Sequence, residues 1–180
     1  GTTPLGSGTD PHDDHHRDLG VTVEAIQTQL TGAWTSYTPT LTAISVNPTL
    51  GSGSSATGYY QRVGRRVEGY VEILFGSSGV APGTGYYGLL LPVQPVNRNQ
   101  AIGIGYCFDF DEQLRFVVAS AAVATGLWAA STSKAIIVVT NDPGEGFGTG
   151  DNPVGAAVPW AWEENDQIHL RFAYEAAAAS

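Results

Sequence analysis

The sequence predicts a mostly β protein: an antiparallel β-sandwich or jelly-roll head preceded by one short amphipathic, coiled-coil-like helix and an extended N-terminal arm. Two observations indicate this fold class. From residue 34 onward, eight or nine short segments rich in β-branched and aromatic residues alternate with turn-forming residues, and no helical pattern separates them. Before residue 34 the apolar residues recur at helical spacing. The expected organisation is an arm over 1–18, a helical stalk over 19–33 and a head over 34–180.

The arm is predicted to be extended because Gly, Ser, Thr and Pro fill its first part. Its second part holds three of the four histidines, His12, His15 and His16, among aspartates. Imidazole and carboxylate together suit zinc-type or nickel-type ions, and a homotrimer presents each histidine three times around its axis. These histidines are therefore a candidate metal site. The alternative is that they belong to a solvated polar cap before the helix and bind no metal.

The stalk has a narrow apolar seam. Leu19, Val23, Ile26, Leu30 and Ala33 are spaced as in a heptad repeat, with polar residues between them. About two heptads do not hold a helix in water by themselves. The helix is therefore expected either to associate with copies of itself or to lie on the sheet of the head.

The head contains two strands with a clear alternation of side chains. In the segment 66–75, Val67, Val71, Ile73 and Phe75 fall on one face, and a short turn at residues 63–65 joins this segment to the strand before it. The segment 167–175 alternates most regularly. Its apolar residues are Ile168, Leu170, Phe172 and Tyr174, and His169 lies on the opposite face as a lone surface histidine.

Composition excludes several classes of function. The net charge of −9 repels phosphate, so nucleic-acid binding and attachment to an anionic membrane are not expected. No apolar run approaches the ~18 residues of a membrane span, so no membrane insertion is expected. Only one cysteine, Cys107, is present, which excludes an intrachain disulfide and predicts a small core residue within an apolar strand.

The search for catalytic groups predicts that the protein is not an enzyme. Asp109 and Asp111 resemble a pair of glycosidase carboxylates, but they sit where a strand passes into a turn, and a solvated turn is the favoured explanation. Asp142, Glu145 and Asp151 lie in one Gly-rich loop without the order of a calcium-binding motif. No nucleophile, zinc or phosphate-loop motif is present in the sequence.

Aromatic residues are the candidate ligand-binding groups. Several occur as close pairs. Because successive side chains of a strand point to opposite faces of the sheet, one ring of an adjacent pair points away from the core. Such rings stack on sugars, or they pack at a subunit interface or beneath a loop. The rings selected as ligand contacts are Tyr87, Trp128, Trp160 and Trp162.

The order of several segments resembles a β-rich domain of bacteriophage tail-fibre-like and minor tail proteins. The matching pieces are WTSYTPTLT at 34–42, GYYQRVG at 58–64, LLLP at 89–92, and then Trp162, Asp166 and Tyr174 followed by Glu175. The resemblance implies a non-enzymatic virion protein with a helical stalk, exposed on the tail or capsid and extracellular after lysis.

That resemblance also implies partners. The expected ones are two further copies in a homotrimer, other virion proteins held through the arm, and a glycan of the host surface. The predicted trimer interface consists of Leu19, Val23, Ile26, Leu30, Trp34 and Tyr37. A carbohydrate-binding module of a secreted protein is the alternative function.

Overall fold

The computed structural model describes residues 11–96, 100–111, 115–123, 134–139 and 152–177, and these residues form one α-helix and ten β-strands. The helix is α1 (Pro11–Thr31). The strands are β1 (Thr35–Tyr37), β2 (Leu41–Ala43), β3 (Ser55–Val63), β4 (Arg66–Leu74), β5 (Tyr87–Leu90), β6 (Gln100–Asp109), β7 (Arg115–Val123), β8 (Lys134–Val139), β9 (Asn152–Pro153) and β10 (Gln167–Glu175). The predicted fold class, a mostly β, antiparallel, sandwich-like protein with one helix near its start, is confirmed.

The helix begins earlier than the sequence pattern indicated. We expected an extended arm up to residue 18, but α1 starts at Pro11 and includes the Asp/His run. Proline suits the first helical position because its missing N–H has no intrahelical partner there, and acidic residues in the first turn interact favourably with the helix dipole. The helix ends at Thr31, before Gly32. The structure divides into two compact units, with the boundary between Ala33 and Trp34.

Among the described residues, no helix is both long enough and apolar enough to cross a membrane.

The strands form one antiparallel sheet with β10 near its middle. The hydrogen-bonded order is β1-β3-β4-β10-β6-β7-β8-β5-β2, and β9 pairs with β8. The hairpin predicted at residues 63–65 joins β3 to β4, and Gly64 adopts a φ of 59° in its turn. β10 pairs with β4 on one side and with β6 on the other. The segment with the most regular alternation is therefore a central strand.

The sheet curls so that its two ends approach each other. β1 and β2 lie at opposite ends of the strand order, yet only Thr38, Pro39 and Thr40 separate them in the chain. Four peptide steps span at most about 14 Å, so the two edges must lie close together. Pro39 is buried and has no N–H for a strand pair, and its neighbour Thr40 accepts a hydrogen bond from Leu90 N at 3.0 Å. This bend turns one continuous sheet into a sandwich-like fold.

Both halves of the curled sheet contribute to one buried core. The sequence predicted that the alternating apolar residues of β4 and β10 share one buried face. They are buried, which confirms this prediction. They belong to the same cluster as Tyr87, Leu89 and Ile137 from the strands of the other half. Cys107 is buried there as predicted, and burial raises the pKa of its thiol to about 12, so the thiol stays protonated at neutral pH.

Candidate functional site

The aromatic rings predicted to contact a ligand lie mostly in the core. Tyr87, Trp160 and Trp162 are buried, and each donates to an internal acceptor: Tyr87 Oη to Pro82 O at 2.6 Å, Trp160 Nε1 to Asp166 Oδ2 at 3.0 Å, and Trp162 Nε1 to Gly155 O at 2.9 Å. A buried ring has no free face for a sugar, so the prediction is wrong for these three residues. Trp128 lies outside the described residues.

Asp166 organises the chain around these tryptophans. Its buried carboxylate accepts hydrogen bonds from Phe110 N at 3.0 Å, from Glu163 N at 2.9 Å and from Trp160 Nε1 at 3.0 Å. Burial raises the pKa of Asp166, although the three hydrogen bonds oppose that rise. We call Trp160, Trp162, Glu163 and Asp166 the tryptophan corner. All three donors to Asp166 belong to the fold itself, so its role is structural.

The two carboxylates proposed as a glycosidase pair differ in burial. Asp109 is buried, and its Oδ1 accepts a hydrogen bond from the backbone N–H of Asp111 at 3.1 Å. Asp111 is exposed at the turn that follows β6. This geometry is that of an aspartate stabilising a turn, as the alternative expected, but only Asp111 is solvated and Asp109 is not. Asp142, Glu145 and Asp151 lie outside the described residues.

The candidate metal ligands lie on α1. His15 and His16 are exposed, and the side chain of His12 lies outside the described ones. Among the residues that the structure describes, no group of three or more histidine, cysteine or acidic side chains is arranged to hold a metal ion. A site made by several copies of the helix stays a prediction.

The predicted trimer contacts fall into two groups. Leu19, Val23 and Ile26 are exposed on α1, and the side chain of Leu30 is not described. In the head, Trp34 is 53% exposed. Tyr37 packs against the core, its ring lying over Gly58 and 5.8 Å from the ring of Tyr60, and its hydroxyl is buried. Tyr37 therefore points inward, which does not support its assignment to an interface.

A groove lies on the outer face of the three central strands β4, β10 and β6. The register aligns Tyr70 with Arg171 and Arg171 with Ile104 in one row across the strands, and Glu72, His169 and Tyr106 in the next. Adjacent strands are about 4.8 Å apart, so each row extends roughly 10 Å between its outer members. We call these six residues the outer-face groove.

The groove is open to solvent and lined by aromatic and aliphatic groups. Its volume is about 350 Å³, near the lower end of the range of roughly 300–1,000 Å³ for ligand pockets. A neighbouring hollow of about 440 Å³ shares Ile104 and Arg171 with it and extends to Trp34 and Glu68. The two hollows together form a continuous surface depression.

The aromatic side chains of the groove form two small clusters. At one end, the ring of Tyr70 lies 6.1 Å from that of Trp34 and 5.3 Å from that of Tyr59. At the other end, Tyr106 stacks on His169 with ring centroids 4.5 Å apart and an interplanar angle of 18°. Each cluster limits the rotamers of its members and so keeps ring faces in place at the surface.

The charges in the groove are nearly balanced. Arg171 lies between the carboxylates of the neighbouring strand, with Glu72 in the groove and Glu68 in the adjoining hollow. Burial lowers the pKa of His169, and Glu72 opposes that shift, so the imidazole is neutral at pH 7. His169 Nε2 lies 2.9 Å from Gln167 Oε1, which fixes the ring. The groove therefore offers one cation, one or two carboxylates and neutral polar groups.

Sequence reasoning found only one part of this groove. The alternation in β4 and β10 placed Glu68, Tyr70, Glu72 and His169 on the outer face, but β6 read as a uniformly apolar strand. In the structure Gly103 and Gly105 occupy inward positions of β6, where an added Cβ meets the backbone of β10, while Ile104 points outward. Glycine alternating with large apolar residues was the signal that this stretch of the strand exposes Ile104 and Tyr106.

Comparisons with protein-family models, with curated proteins and with solved structures found no match to this chain.

Proposed function

We propose that this protein is a non-enzymatic structural and adhesion protein of a bacteriophage particle. In this proposal three copies associate through α1, and the β heads act at the virion surface in host attachment or particle decoration. The N-terminal segment contacts other virion proteins. The ordered series of segments between residues 34 and 175 that resembles phage tail proteins supports the viral setting, and the helix supports the assembly.

The observation that supports assembly most strongly is an exposed apolar stripe along α1. The helix has 21 residues, so it is about 31 Å long. Leu19, Val23 and Ile26 occupy successive seam positions and are 62%, 50% and 49% exposed. Large apolar side chains at heptad spacing become buried when helices associate, and that burial stabilises a helix that is marginal by itself.

The residue types in the seam are divided between two preferences. The heptad places Leu19 and Ile26 at d positions and Val23 and Leu30 at a positions. Valine at a with leucine at d favours two strands, whereas Leu30 at a with Ile26 at d shifts the preference to trimers or tetramers, and the proposed trimer rests on this second pair. The seam pattern continues back to His16, because α1 is already helical there. A trimer would then place three copies of this histidine around its axis.

Light scattering with size-exclusion chromatography tests the assembly. We expect a mass of three chains for the wild type and of one chain for Ile26→Asp, because the charge cannot be buried in the seam. Val21→Asp is the matched control, since Val21 is equally β-branched and 63% exposed but lies off the seam, and it should remain a trimer. A wild-type monomer at micromolar concentration, or equal dissociation in both variants, contradicts the proposal.

A carbohydrate-binding module of a secreted protein is the second candidate function. The outer-face groove favours it, since it joins exposed rings to balanced polar groups. The two candidates differ in assembly: a module of this kind binds saccharide as a monomer. Saccharide binding by a wild-type monomer would replace the first proposal with the second.

A further inference from the structure

We infer that the outer-face groove is a binding site for an uncharged saccharide. The inference rests on the proposed function, because an adhesion head needs a surface site for its ligand, and it names the residues and the ligand class. Of the aromatic residues selected from the sequence as ligand contacts, the three that the structure describes, Tyr87, Trp160 and Trp162, do not line this groove.

The first argument is the clustering of exposed apolar groups. Tyr70, Ile104 and Tyr106 are all among the exposed large hydrophobic residues of the head, and Ile104 is 64% exposed. The register places them in adjacent rows of the same sheet face rather than scattered over the surface. Contiguous exposed apolar surface bordered by polar groups is typical of binding sites.

The second argument is the match between the groove and the two kinds of surface on a sugar ring. One face of a hexose carries C–H groups, which pack on an aromatic ring, and its edge carries hydroxyls. Tyr70 and Tyr106 offer ring surface at the two ends of the groove, about two strand spacings apart. Between them, Arg171 donates through several N–H groups and Glu72 accepts through two oxygens, which suits neighbouring hydroxyls.

The third argument is charge, which selects the ligand class. Arg171 is countered by Glu72 in the groove, Glu68 in the adjoining hollow pairs with Arg66 at 3.2 Å, and the His169 imidazole is neutral at pH 7. The chain has a net charge of −9. An anionic saccharide or a nucleic acid would be repelled, although nucleobases also stack on aromatic rings. An uncharged polyhydroxylated ligand incurs no such repulsion.

The test measures binding of defined hexasaccharides to the full chain by titration calorimetry. The uncharged probes are maltohexaose, cellohexaose and chitohexaose, and oligogalacturonate is the anionic probe of similar size. We expect at least one uncharged probe to bind at millimolar or lower concentration and oligogalacturonate not to bind. Tyr106→Ala and Arg171→Gln should each weaken binding about tenfold or more.

The matched control is Tyr86→Ala, because Tyr86 is also an exposed tyrosine of the head but lies outside the groove. It should bind like the wild type, and thermal unfolding should show that all three variants are folded. Absence of binding by every uncharged probe overturns the inference, as does preference for oligogalacturonate or equal loss in Tyr86→Ala.

The mass of each variant separates this inference from the proposed assembly. If Tyr106→Ala or Arg171→Gln dissociates the trimer, a second copy occupies the groove, and the saccharide inference fails while the trimer stands. If Ile26→Asp yields monomers that still bind saccharide, the site stands apart from the assembly. Binding by the trimer should then be tighter on a multivalent surface, because linked sites increase the effective concentration.

Discussion

The tryptophan corner and the outer-face groove are both rich in aromatic residues, yet they differ in burial and in how their rings pack. In the corner, Trp162 stacks on Phe75 with ring centroids 5.0 Å apart and lies 5.5 Å from Trp160. Its indole N–H donates to a backbone carbonyl, and its ring is fully enclosed. In the groove, the rings of Tyr70 and Tyr106 have one face on a neighbour and part of their surface in solvent.

Aromatic content alone therefore does not identify a binding surface. The corner has two tryptophans within three residues, Trp160-Ala161-Trp162, and both are core. The groove gathers rings from separate strands that are distant in the chain and adjacent in the sheet. A side chain is available to a ligand because of the face it occupies, and that depends on the strand alternation and the pairing register.

The largest expected effect is the loss of the corner's central ring. Trp162→Ala should lower the free energy of unfolding by about 3–5 kcal/mol, because it removes a fully buried indole and leaves a cavity. Urea unfolding followed by far-ultraviolet circular dichroism measures this change. A loss below about 1 kcal/mol would mean that Trp162 is not a core residue and that the contrast with the groove is mistaken.

The second effect concerns the carboxylate of the corner. Asp166→Ala should lower the free energy of unfolding by about 3 kcal/mol, because three donors lose their acceptor and each buried unsatisfied group costs about 1–3 kcal/mol. Asp111→Ala is the control, since that side chain is exposed, and it should change stability by less than about 0.5 kcal/mol. Similar losses in both variants would contradict the structural role of Asp166.

A smaller effect is the pH dependence that Asp166 gives the corner. Burial raises the pKa of Asp166 in the folded state above the value of about 3.9 in an unfolded chain. The folded state therefore keeps a proton that the unfolded state loses, and this stabilising contribution is present below pH ~4 and lost as the pH rises through the folded pKa.

Comparison of the wild type with Asp166→Asn measures that contribution, because asparagine does not titrate. The stability of the wild type relative to the variant should fall as the pH rises from about 4. The neighbouring ionisable groups, Asp109 and Cys107, are the same in both proteins. A relative stability that rises with pH over that range would show that the hydrogen bonds to the carboxylate outweigh its burial.

A small effect on stability is expected in the hollow that adjoins the groove. Trp34→Ala should lower the free energy of unfolding by less than about 1 kcal/mol, because the side chain is half exposed and contacts Tyr70 at the surface. Trp162→Ala and Trp34→Ala make the same chemical change in the two regions, and the same urea titration measures the loss of stability in each. Equal losses would remove the distinction between core and surface aromatics.

Much of the head could be predicted from local sequence. The alternation in β4 and β10 identified their buried faces, and the Gly64 turn identified the hairpin between β3 and β4, since period-two patterning and turn chemistry act over only a few residues. The helix was predicted over residues 19–33, and α1 ends at Thr31. Its start was placed eight residues late, because polar residues without an apolar stripe were read as an arm although proline and aspartate favour a first turn.

The candidate site was less predictable because it depends on pairing between distant strands. Tyr106 lies beside His169 only because β6 and β10 pair in one particular register, and a shift by one residue would place Cys107 there instead. Gly103 and Gly105 occupy inward positions of β6, so the large side chains between and after them, Ile104 and Tyr106, lie on the outer face. Neither feature can be read from the period of a single segment.

Local side-chain pattern and composition were enough to predict the mostly β fold class, the heptad spacing of α1, the acidic charge and the faces of the two most regular strands. Other features emerged only when the chain was folded. The tertiary structure enclosed Tyr87, Trp160 and Trp162, directed Tyr37 inward and brought Tyr70, Tyr106, His169 and Arg171 to one surface. The physical reason is that burial and proximity come from strand register and from the curl of the sheet, which join residues many positions apart in the chain.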